Sequence, residues 1–447
     1  MTTTDPARLD ETHDPSAASC VDAANDPATD FPLQNLPLGW CRPVTRDGRT
    51  GAERMAVAIG DRVLDLPAAR DEGWLDGLPV PLLSALDGPR LNGVMARPAV
   101  ERLALRRAVA ALLRSGTRVR LERLRAHLLP AAEVELLLPA SVGDYTDFYA
   151  SVFHAENVGR LFRPDNPLLP NYKFVPIGYH GRASSLVPSG TGVVRPRGQV
   201  RPDAAAPPVF APTSRLDYEL EVGLFIASGN ALGERVTVDR AEDHAFGLCL
   251  VNDWSARDVQ QWEYQPLGPF LGKSFATTLS PWVVTLEALA PFRAPAFERP
   301  PGDPQPLPYL DSEAARRRGG FDVTLDVYLA SAAMREQGLE PVRVARSNLS
   351  ALYWTFSQLI AHHASNGCNL QPGDLLASGT VSGPGGGARG CLLEATAGGR
   401  APLALPSGEG RRFLEDGDEV TLAGFCEREG FRRIGFGECR GRVLPAR

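Results

Sequence analysis

A run of acidic residues has the spacing of a cation site. In the segment LDYELEVGLFIA, Asp217, Glu219 and Glu221 lie two residues apart. Strand side chains alternate with a period of two, so all three are expected on one face of a strand. Like charges aligned in this way repel one another unless a cation lies between them, and carboxylate oxygens are the ligands of hard divalent ions. An exposed acidic strand face is the other interpretation of this pattern.

Two further charged residues follow in the chain. Asp253 ends a continuous apolar run in LCLVNDWSARD, where a carboxylate is unfavourable unless it is solvated, paired or bound to an ion. Lys273 lies in GPFLGKS, which has one residue too few between its glycines for a phosphate-binding loop. The next segment, FATTLSPWVV, predicts a strand where such a loop requires a helix. Nucleotide binding is therefore rejected, although an ammonium near a metal can stabilise a developing enolate.

The segments DYTDFYASVFHAENVGRLFR and GYHGRASS are polar, rich in aromatic residues and without clear periodicity. Functional loops tend to have this character. Each charged residue has an alternative role when taken alone. Asp147 could cap a helix, His154 could be a packing residue with a satisfied ring, and Arg163 could face solvent.

The elements that must position these residues are mostly strands. Residues 1–28 contain almost no large apolar side chains and are predicted to be a disordered extension. RMAVAIGDRVLDL predicts a hairpin with Gly60 and Asp61 at its turn. Residues 98–128 predict two amphipathic helices that close a first domain, residues 29–138. From 139 to 447, short apolar runs separated by Gly and Pro predict a second, strand-rich domain with one clear helix at about 348–364.

The composition excludes several classes of partner. The 447 residues carry a net charge of −6, which gives no electrostatic reason to expect nucleic acid or an anionic membrane. No apolar run approaches the roughly 20 residues of a membrane-spanning helix. The seven cysteines follow no disulfide or zinc spacing, so a cytoplasmic protein with reduced thiols and a small-molecule substrate is expected.

Long ordered motifs give a family resemblance. They include GYHGRASS, LDYELE, NDWSARD, PLGPFLGKSF, NGCNL, PGDLLASGT and GFGEC, and they extend from about residue 30 to 445. In these motifs the chain resembles the fumarylacetoacetase family. The resemblance implies a mainly β (α+β) fold, in which a small SH3-like N-terminal barrel precedes a larger mixed β-sandwich roll that carries the active site. It also implies a homodimer and hydrolytic cleavage of a carbon–carbon bond in a β-diketo acid.

The resemblance further implies Mg²⁺ or Ca²⁺ as the cofactor. By analogy, the carboxylate ligands of the ion would be Asp147, Glu219, Glu221 and Asp253. Lys273 and Thr277 resemble residues of a neighbouring Mg²⁺ site that shares Asp253.

Catalytic and substrate-binding roles are implied in the same way. His154 resembles the general base, Glu394 its orienting partner, and Arg257 a residue that supports the leaving group. The positions similar to substrate-contacting residues are Tyr149, Arg163, Gln260, Tyr264 and Thr380. Lys273 and Gln260 would meet the charge of the expelled enolate.

Two alternatives compete with this interpretation. An acylpyruvate hydrolase, decarboxylase or tautomerase of the same superfamily would share the C-terminal metal site, but such relatives are usually shorter and lack the first domain. A non-catalytic metal-binding protein would need no base beside its carboxylates. The presence of His154, Glu394 and an N-terminal domain favours the fumarylacetoacetase family.

Overall fold

The computed structural model describes residues 8–45, 47–203 and 205–447. Its first part is a small antiparallel unit, in which β4, β3, β2 and β1 are adjacent in that order and β5 also pairs with β1. The strands are β1 Leu38–Pro43, β2 Arg54–Ile59, β3 Arg62–Asp65, β4 Leu128–Pro130 and β5 Val134–Leu137. The helices are α1 Leu66–Asp71, α2 Val80–Ala85, α3 Asn92–Met95, α4 Ala99–Leu113 and α5 Leu121–Arg125.

The predicted hairpin is confirmed by the pairing of β2 with β3. Gly60 at its turn has a φ of 55°, and a Cβ there would lie 2.5 Å from the backbone nitrogen of Ala24. Only glycine tolerates both the positive φ and this close approach. The two predicted helices are also present, as α4 and α5.

The prediction that residues 1–28 are disordered is wrong for residues 8–28, while residues 1–7 lie outside the described residues. Short 3₁₀ helices form at Glu11–His13 and Asp22–Asn25. The buried ring of His13 bonds through Nε2 to the backbone oxygen of Glu287, at 2.7 Å, and Arg106 of α4 donates to Thr12. Buried polar contacts thus hold a segment that has too few large apolar side chains to predict order.

The second part contains two larger sheets. Its strands are β6 Tyr145–Phe148, β7 Gly178–Gly181, β8 Leu186–Pro188, β9 Gly192–Val194, β10 Arg197–Val200, β11 Val209–Pro212, β12 Leu216–Asp217, β13 Leu220–Ile226, β14 Ala245–Asp253, β15 Ser255–Ala256, β16 Thr277–Leu279, β17 Trp282–Thr285, β18 Arg293–Ala294, β19 Gly320–Phe321, β20 Thr324–Ala330, β21 Val342–Asn348, β22 Leu375–Ala377, β23 Leu403–Ala404, β24 Gly410–Arg411, β25 Glu419–Cys426 and β26 Ile434–Leu444. Its helices are α6 Val152–Phe162, α7 Arg257–Glu263, α8 Glu313–Arg318, α9 Ala332–Glu336, α10 Phe356–His363 and α11 Leu392–Ala395.

The main sheet runs through both parts of the chain. Its path is β4-β3-β2-β1-β17-β14-β13-β22-β6-β7, and a second sheet has the order β21-β20-β25-β26-β9. Most pairs are antiparallel, but β22 is parallel to β6 and β26 is parallel to β9. The predicted fold class, mainly β with helices, is confirmed. The division at residue 138/139 stays a prediction.

The sequences of strands β13 and β14 are nearly continuous apolar runs because both faces of each strand are buried. Leu224 and Leu250 pack into a core shared with Leu422 of the second sheet. Phe225 and Val251, one residue further along each strand, pack into a core shared with the first unit. The two strands are therefore fixed on both sides, and they carry the acidic residues described below.

The helix predicted at about 348–364 is shorter than expected. A 3₁₀ turn covers Leu349–Ala351, and α10 begins only after Thr355. Thr355 and Gln358 form a reciprocal capping box, which ends the extended segment and starts the helix. The apolar spacing of residues 352–354 fits a helix, but the cap determines the boundary.

Candidate active site

Four carboxylates on or next to β6, β13 and β14 converge in the main sheet, in which β22 lies between β6 and β13. Asp147 is opposite Ala377 in the parallel pair of β6 and β22, and β22 in turn pairs with β13. Glu221 belongs to β13, Asp253 ends β14, and Glu219 immediately precedes β13. All four side chains are buried, and one oxygen from each lies within 4.8 Å of the others. The structure thus brings together the four predicted carboxylate ligands.

Positively charged and hydroxyl groups line one side of this cluster. Lys273 Nζ donates to Asp253 Oδ2 at 2.7 Å and also to Glu219. Thr277 Oγ1 donates to Asp253 Oδ1 at 2.8 Å. Arg257 pairs with Glu219 Oε1 at 2.7 Å. Asp253 therefore links the carboxylate cluster to Lys273 and Thr277, the pair expected beside it.

The carboxyl groups of the cluster differ in the direction of their pKa shifts. Burial, and then the charge of Asp253, raises the pKa of Asp147 well above its ordinary value. Burial and the charge of Asp147 raise the pKa of Glu221 in the same way. Burial alone would raise the pKa of Glu219, but the ammonium of Lys273 and the guanidinium of Arg257 outweigh it and lower that pKa. The attraction of Lys273 also acts on Asp147 and Glu221, but it does not outweigh their burial and the neighbouring carboxylates.

Glu221 provides the test of whether these residues fit a metal ion. Within the described residues, neither of its carboxylate oxygens has a hydrogen-bond partner, although the residue is fully buried. Burial of an ionised carboxylate without partners is strongly unfavourable. A hard divalent cation that takes oxygen ligands would satisfy both oxygens and the neighbouring carboxylates. The donor set fits Mg²⁺ or Ca²⁺.

Asp217 does not join this cluster, contrary to the expectation that three acidic residues share one strand face. The strand is interrupted, because β12 ends at Asp217 and β13 begins at Leu220. Asp217 instead pairs with Arg257 at 3.0 Å and accepts the backbone N–H groups of Leu392 and Leu393. It therefore secures the start of α11, the helix that carries Glu394.

His154 and Glu394 form a buried pair. His154 lies in the first turns of α6, which Ser151 caps, and its Nδ1 is 2.6 Å from Glu394 Oε2. Glu394 also accepts hydrogen bonds from Ser382 at 2.8 Å and from Asn157 at 2.7 Å. Burial raises the pKa of Glu394, but the attraction of His154 and these hydrogen bonds outweigh it, so the pKa is lowered. An ionised Glu394 favours the tautomer in which Nδ1 carries the proton and Nε2 is the acceptor.

The pair lies close to the carboxylate cluster. His154 contributes to the lowered pKa of Glu219, which places the imidazole within electrostatic reach of that carboxylate. The ring of Tyr149 stands edge-on to His154, with 5.2 Å between ring centroids. Thr380 Oγ1 is buried without a partner within the described residues, and Gln260 Oε1 accepts from Arg257 at 3.2 Å.

Unlike the other predicted substrate-binding residues, two have exposed side chains. Arg163 follows α6, is exposed and donates to the backbone oxygen of Pro167 at 3.1 Å. Tyr264 follows α7, is 41% exposed and accepts from Gln265. Neither side chain bonds to the carboxylate cluster or to His154. Their roles in substrate binding stay predictions.

Sequence reasoning missed several residues at the site. Tyr179 donates to Asp253 Oδ2 at 2.5 Å, and Cys391 Sγ lies 3.2 Å from Glu394 Oε2. Asn157 could have been found, because it is three residues from His154 and therefore on the same helix face. Nothing in the local sequence around Ser382 indicates that its hydroxyl reaches Glu394.

Comparisons with known proteins agree with this geometry. A family model described as fumarylacetoacetate (FAA) hydrolase C-terminal matches residues 145–444, and one described as fumarylacetoacetase N-terminal matches residues 34–139. Fumarylacetoacetase of Arabidopsis thaliana is 46% identical over 436 residues, with 96% of this chain and 98% of the relative covered. The human protein of the same name is 45% identical over 440 residues, with 96% and 99% covered. Within the described residues, no helix is both long enough and apolar enough to cross a membrane.

Proposed function

The chain belongs to the fumarylacetoacetate hydrolase family, and from that membership we propose that it hydrolyses 4-fumarylacetoacetate to fumarate and acetoacetate. This reaction is the last step of tyrosine and phenylalanine degradation. The single structural observation that supports the proposal is the His154–Glu394 pair beside the four-carboxylate cluster. The cluster alone would suit a metal-binding protein, whereas the oriented imidazole adds a base that can activate water.

The metal ion is proposed to be Mg²⁺ or Ca²⁺. Asp147, Glu219, Glu221 and Asp253 would hold it, with Lys273 and Thr277 beside Asp253. When bound, a divalent cation supplies Lewis-acid polarisation of carbonyl oxygens and stabilises negative charge that develops on them. Lys273 adds a fixed positive charge, because Asp253 and Glu219 outweigh its burial and raise its pKa above the ordinary value.

His154 is the proposed general base. Glu394 accepts a hydrogen bond from the Nδ1–H group, which leaves Nε2 free to take a proton from water. The resulting hydroxide adds to the substrate carbonyl next to the fumaryl group. The imidazolium that forms is stabilised by the negative charge of Glu394, which Asn157 and Ser382 hold in place.

Collapse of the tetrahedral adduct breaks the carbon–carbon bond and expels acetoacetate as an enolate. Lys273 and Gln260 are proposed to meet the negative charge, with Arg257 supporting the leaving group through its bond to Gln260. The buried ion pairs of Arg257 with Asp217 and Glu219 fix the guanidinium before the reaction begins. Protonation of the enolate carbon completes the two products.

Substrate binding is proposed to involve residues around the base and the pocket entrance. Tyr149, whose ring packs edge-on against His154, and Thr380, whose buried hydroxyl has no partner within the described residues, are proposed to contact the substrate near its reacting carbon. Arg163 and Tyr264 are exposed and would meet a carboxylate group at the outer end of the substrate.

The alternative activities are less favoured. An acylpyruvate hydrolase, decarboxylase or tautomerase would not account for the match of residues 34–139 to the fumarylacetoacetase N-terminal model. A non-catalytic metal-binding protein would not account for a buried imidazole oriented by a carboxylate that an amide and a hydroxyl in turn hold in place.

We also propose that the enzyme is a cytoplasmic homodimer. All seven cysteines are free thiols, as is usual in a reducing compartment. Leu267, Phe270 and Leu271 follow α7 and are 96%, 68% and 51% exposed, and exposed apolar groups of this kind are typical of interfaces. Light scattering coupled to size-exclusion chromatography should give twice the chain mass of 48.1 kDa, and a monomer would contradict the proposal.

The activity can be tested directly with purified protein, Mg²⁺ or Ca²⁺, and 4-fumarylacetoacetate. The ultraviolet absorbance of the diketone should disappear while fumarate and acetoacetate form in equal amounts. Isomerised substrate or released carbon dioxide would instead indicate one of the alternative activities. No change in absorbance would contradict an enzymatic role on this substrate.

A further inference from the structure

A second group of potential ligands lies beside the carboxylate cluster. His154, Cys391 and Glu394 each place a ligand atom within 4.8 Å of the other two. Cys391 Sγ is 3.2 Å and His154 Nδ1 is 2.6 Å from the same atom, Glu394 Oε2. All three residues are buried.

This set differs in chemistry from the four carboxylates. A thiolate, an imidazole nitrogen and a carboxylate oxygen are the ligands of Zn²⁺ and similar borderline or soft ions, whereas Mg²⁺ and Ca²⁺ take oxygen ligands. Zinc bonds of about 2.0–2.3 Å place neighbouring ligand atoms of a tetrahedron roughly 3.3–3.6 Å apart. The contacts of 3.2 and 2.6 Å need to open by only about 1 Å or less to admit the ion.

We propose that His154 Nδ1, Cys391 Sγ and Glu394 Oε2 form an inhibitory site for Zn²⁺ and chemically similar divalent cations, separate from the carboxylate cluster. The inhibitory part rests on the proposed function, since it requires His154 to be the base. The binding part rests only on the geometry of the three side chains. A fourth position is left for water.

Occupation of this site removes the base. The ion takes the place of the proton between Nδ1 and Oε2, and that proton moves to Nε2, where the lone pair is needed to accept a proton from water. The Cys391 thiol loses its proton to solvent, so one proton is released for each ion bound. Burial and the charge of Glu394 raise the pKa of this thiol, so an ion with a strong preference for thiolate is required.

A segment that contacts Glu394 is exposed over part of its length. The segment 382–390 passes over Glu394, with Ser382 bonded to it and Arg389 at 4.0 Å. Residues 384–387 of this segment are exposed and include three successive glycines. The proposal requires a displacement of this segment for an ion to enter, and residues 384–387 belong to no strand of either sheet.

Binding can be measured without activity by adding Co²⁺ to the full-length protein in excess Mg²⁺, which occupies the carboxylate cluster. Wild-type protein should show a thiolate-to-cobalt charge-transfer absorbance that Zn²⁺ abolishes. Cys391→Ala and Cys391→Ser should lack it, while Cys426→Ala, which removes another fully buried thiol, should keep it. Absence of the band from the wild type, or its persistence in Cys391→Ala, would overturn the site.

Inhibition is then measured relative to the uninhibited rate of each variant. The zinc concentration for half-inhibition should rise by more than about 100-fold in Cys391→Ala, since loss of an outer-shell partner alone costs 10–100-fold in metal affinity. Equal inhibition of wild type and Cys391→Ala would overturn the inhibitory role. A charge-transfer band in a protein that does not turn over fumarylacetoacetate would support the site and refute the proposed function.

Discussion

Glu221 is the residue at which the chemistry of the site is most constrained. Its side chain is fully buried and has no hydrogen-bond partner within the described residues, and three other carboxylates lie against it. Lys273 bonds to Glu219 and Asp253 but not to Glu221. We therefore propose that a divalent cation from outside the chain balances this arrangement.

Replacing both Glu219 and Glu221 with Gln should weaken Mg²⁺ or Ca²⁺ binding by more than about 100-fold, because two formal charges and two hard oxygen ligands are lost. Calorimetric titration of the purified variants measures the affinity. Glu438→Gln, an exposed carboxylate of β26, is the matched control and should bind like the wild type. An unchanged affinity in the double variant would show that the ion binds elsewhere.

At the scale of elements, the break between β12 and β13 separates two groups of acidic residues. The regular spacing in the sequence had predicted that all of them share one strand face. Glu219 and Glu221 face the cluster, whereas Asp217 pairs with Arg257 and accepts two backbone N–H groups at the start of α11. One segment of five residues therefore supplies two carboxylates to the candidate metal site and a third to the support of Glu394.

Asp217→Ala should destabilise the protein and lower kcat, because it leaves the buried Arg257 with one carboxylate fewer and the start of α11 without its acceptor. Removal of one partner of a buried ion pair typically costs about 3–5 kcal/mol, and the lower end is expected since Glu219 still pairs with Arg257. Denaturant unfolding and steady-state kinetics measure the two effects. Wild-type stability would show that Asp217 contributes little to this region.

The sequence predicted which segments form strands and helices better than it predicted where these elements begin and end. Buried runs such as β13 and β14 are recognisable because both faces are apolar, and the hairpin at Gly60 is recognisable from its turn. The break at residues 218–219 and the late start of α10 depend on contacts with distant segments or on a cap within an apolar stretch. For the same reason, Asp253 and Lys273 could be selected from the chain, but the contact of Ser382 with Glu394 could not.

At the scale of the whole molecule, the two parts of the chain share one sheet, since β1 pairs with β17. Residues 8–28 strengthen this connection: His13 bonds to Glu287 of the second part and Thr12 to Arg106 of the first. Composition alone predicted disorder here, because it does not register a segment held by buried polar contacts.

Deletion of residues 1–28 should lower the thermal midpoint of unfolding by several degrees, because Arg106 and Glu287 lose buried partners. The hydrogen bond of Thr12 with the charged guanidinium of Arg106 contributes about 1.5–3 kcal/mol, and that of His13 with the backbone oxygen of Glu287 about 0.5–1.5 kcal/mol. Differential scanning calorimetry measures the change, and deletion of residues 1–7 alone, which keeps these contacts, is the control. Equal midpoints for the two deletions would show that the segment adds nothing to stability.

We propose that His154, oriented by Glu394, activates water in a site that also binds a metal ion. The most direct test is the kcat of His154→Ala, measured together with metal affinity and circular dichroism. We predict a fall in kcat of roughly 10²–10⁴-fold with metal binding and folding intact. Glu394→Gln should lose less, and the double variant should be scarcely worse than His154→Ala, because the two residues act as one unit. Near wild-type turnover by His154→Ala with the metal bound would contradict the account.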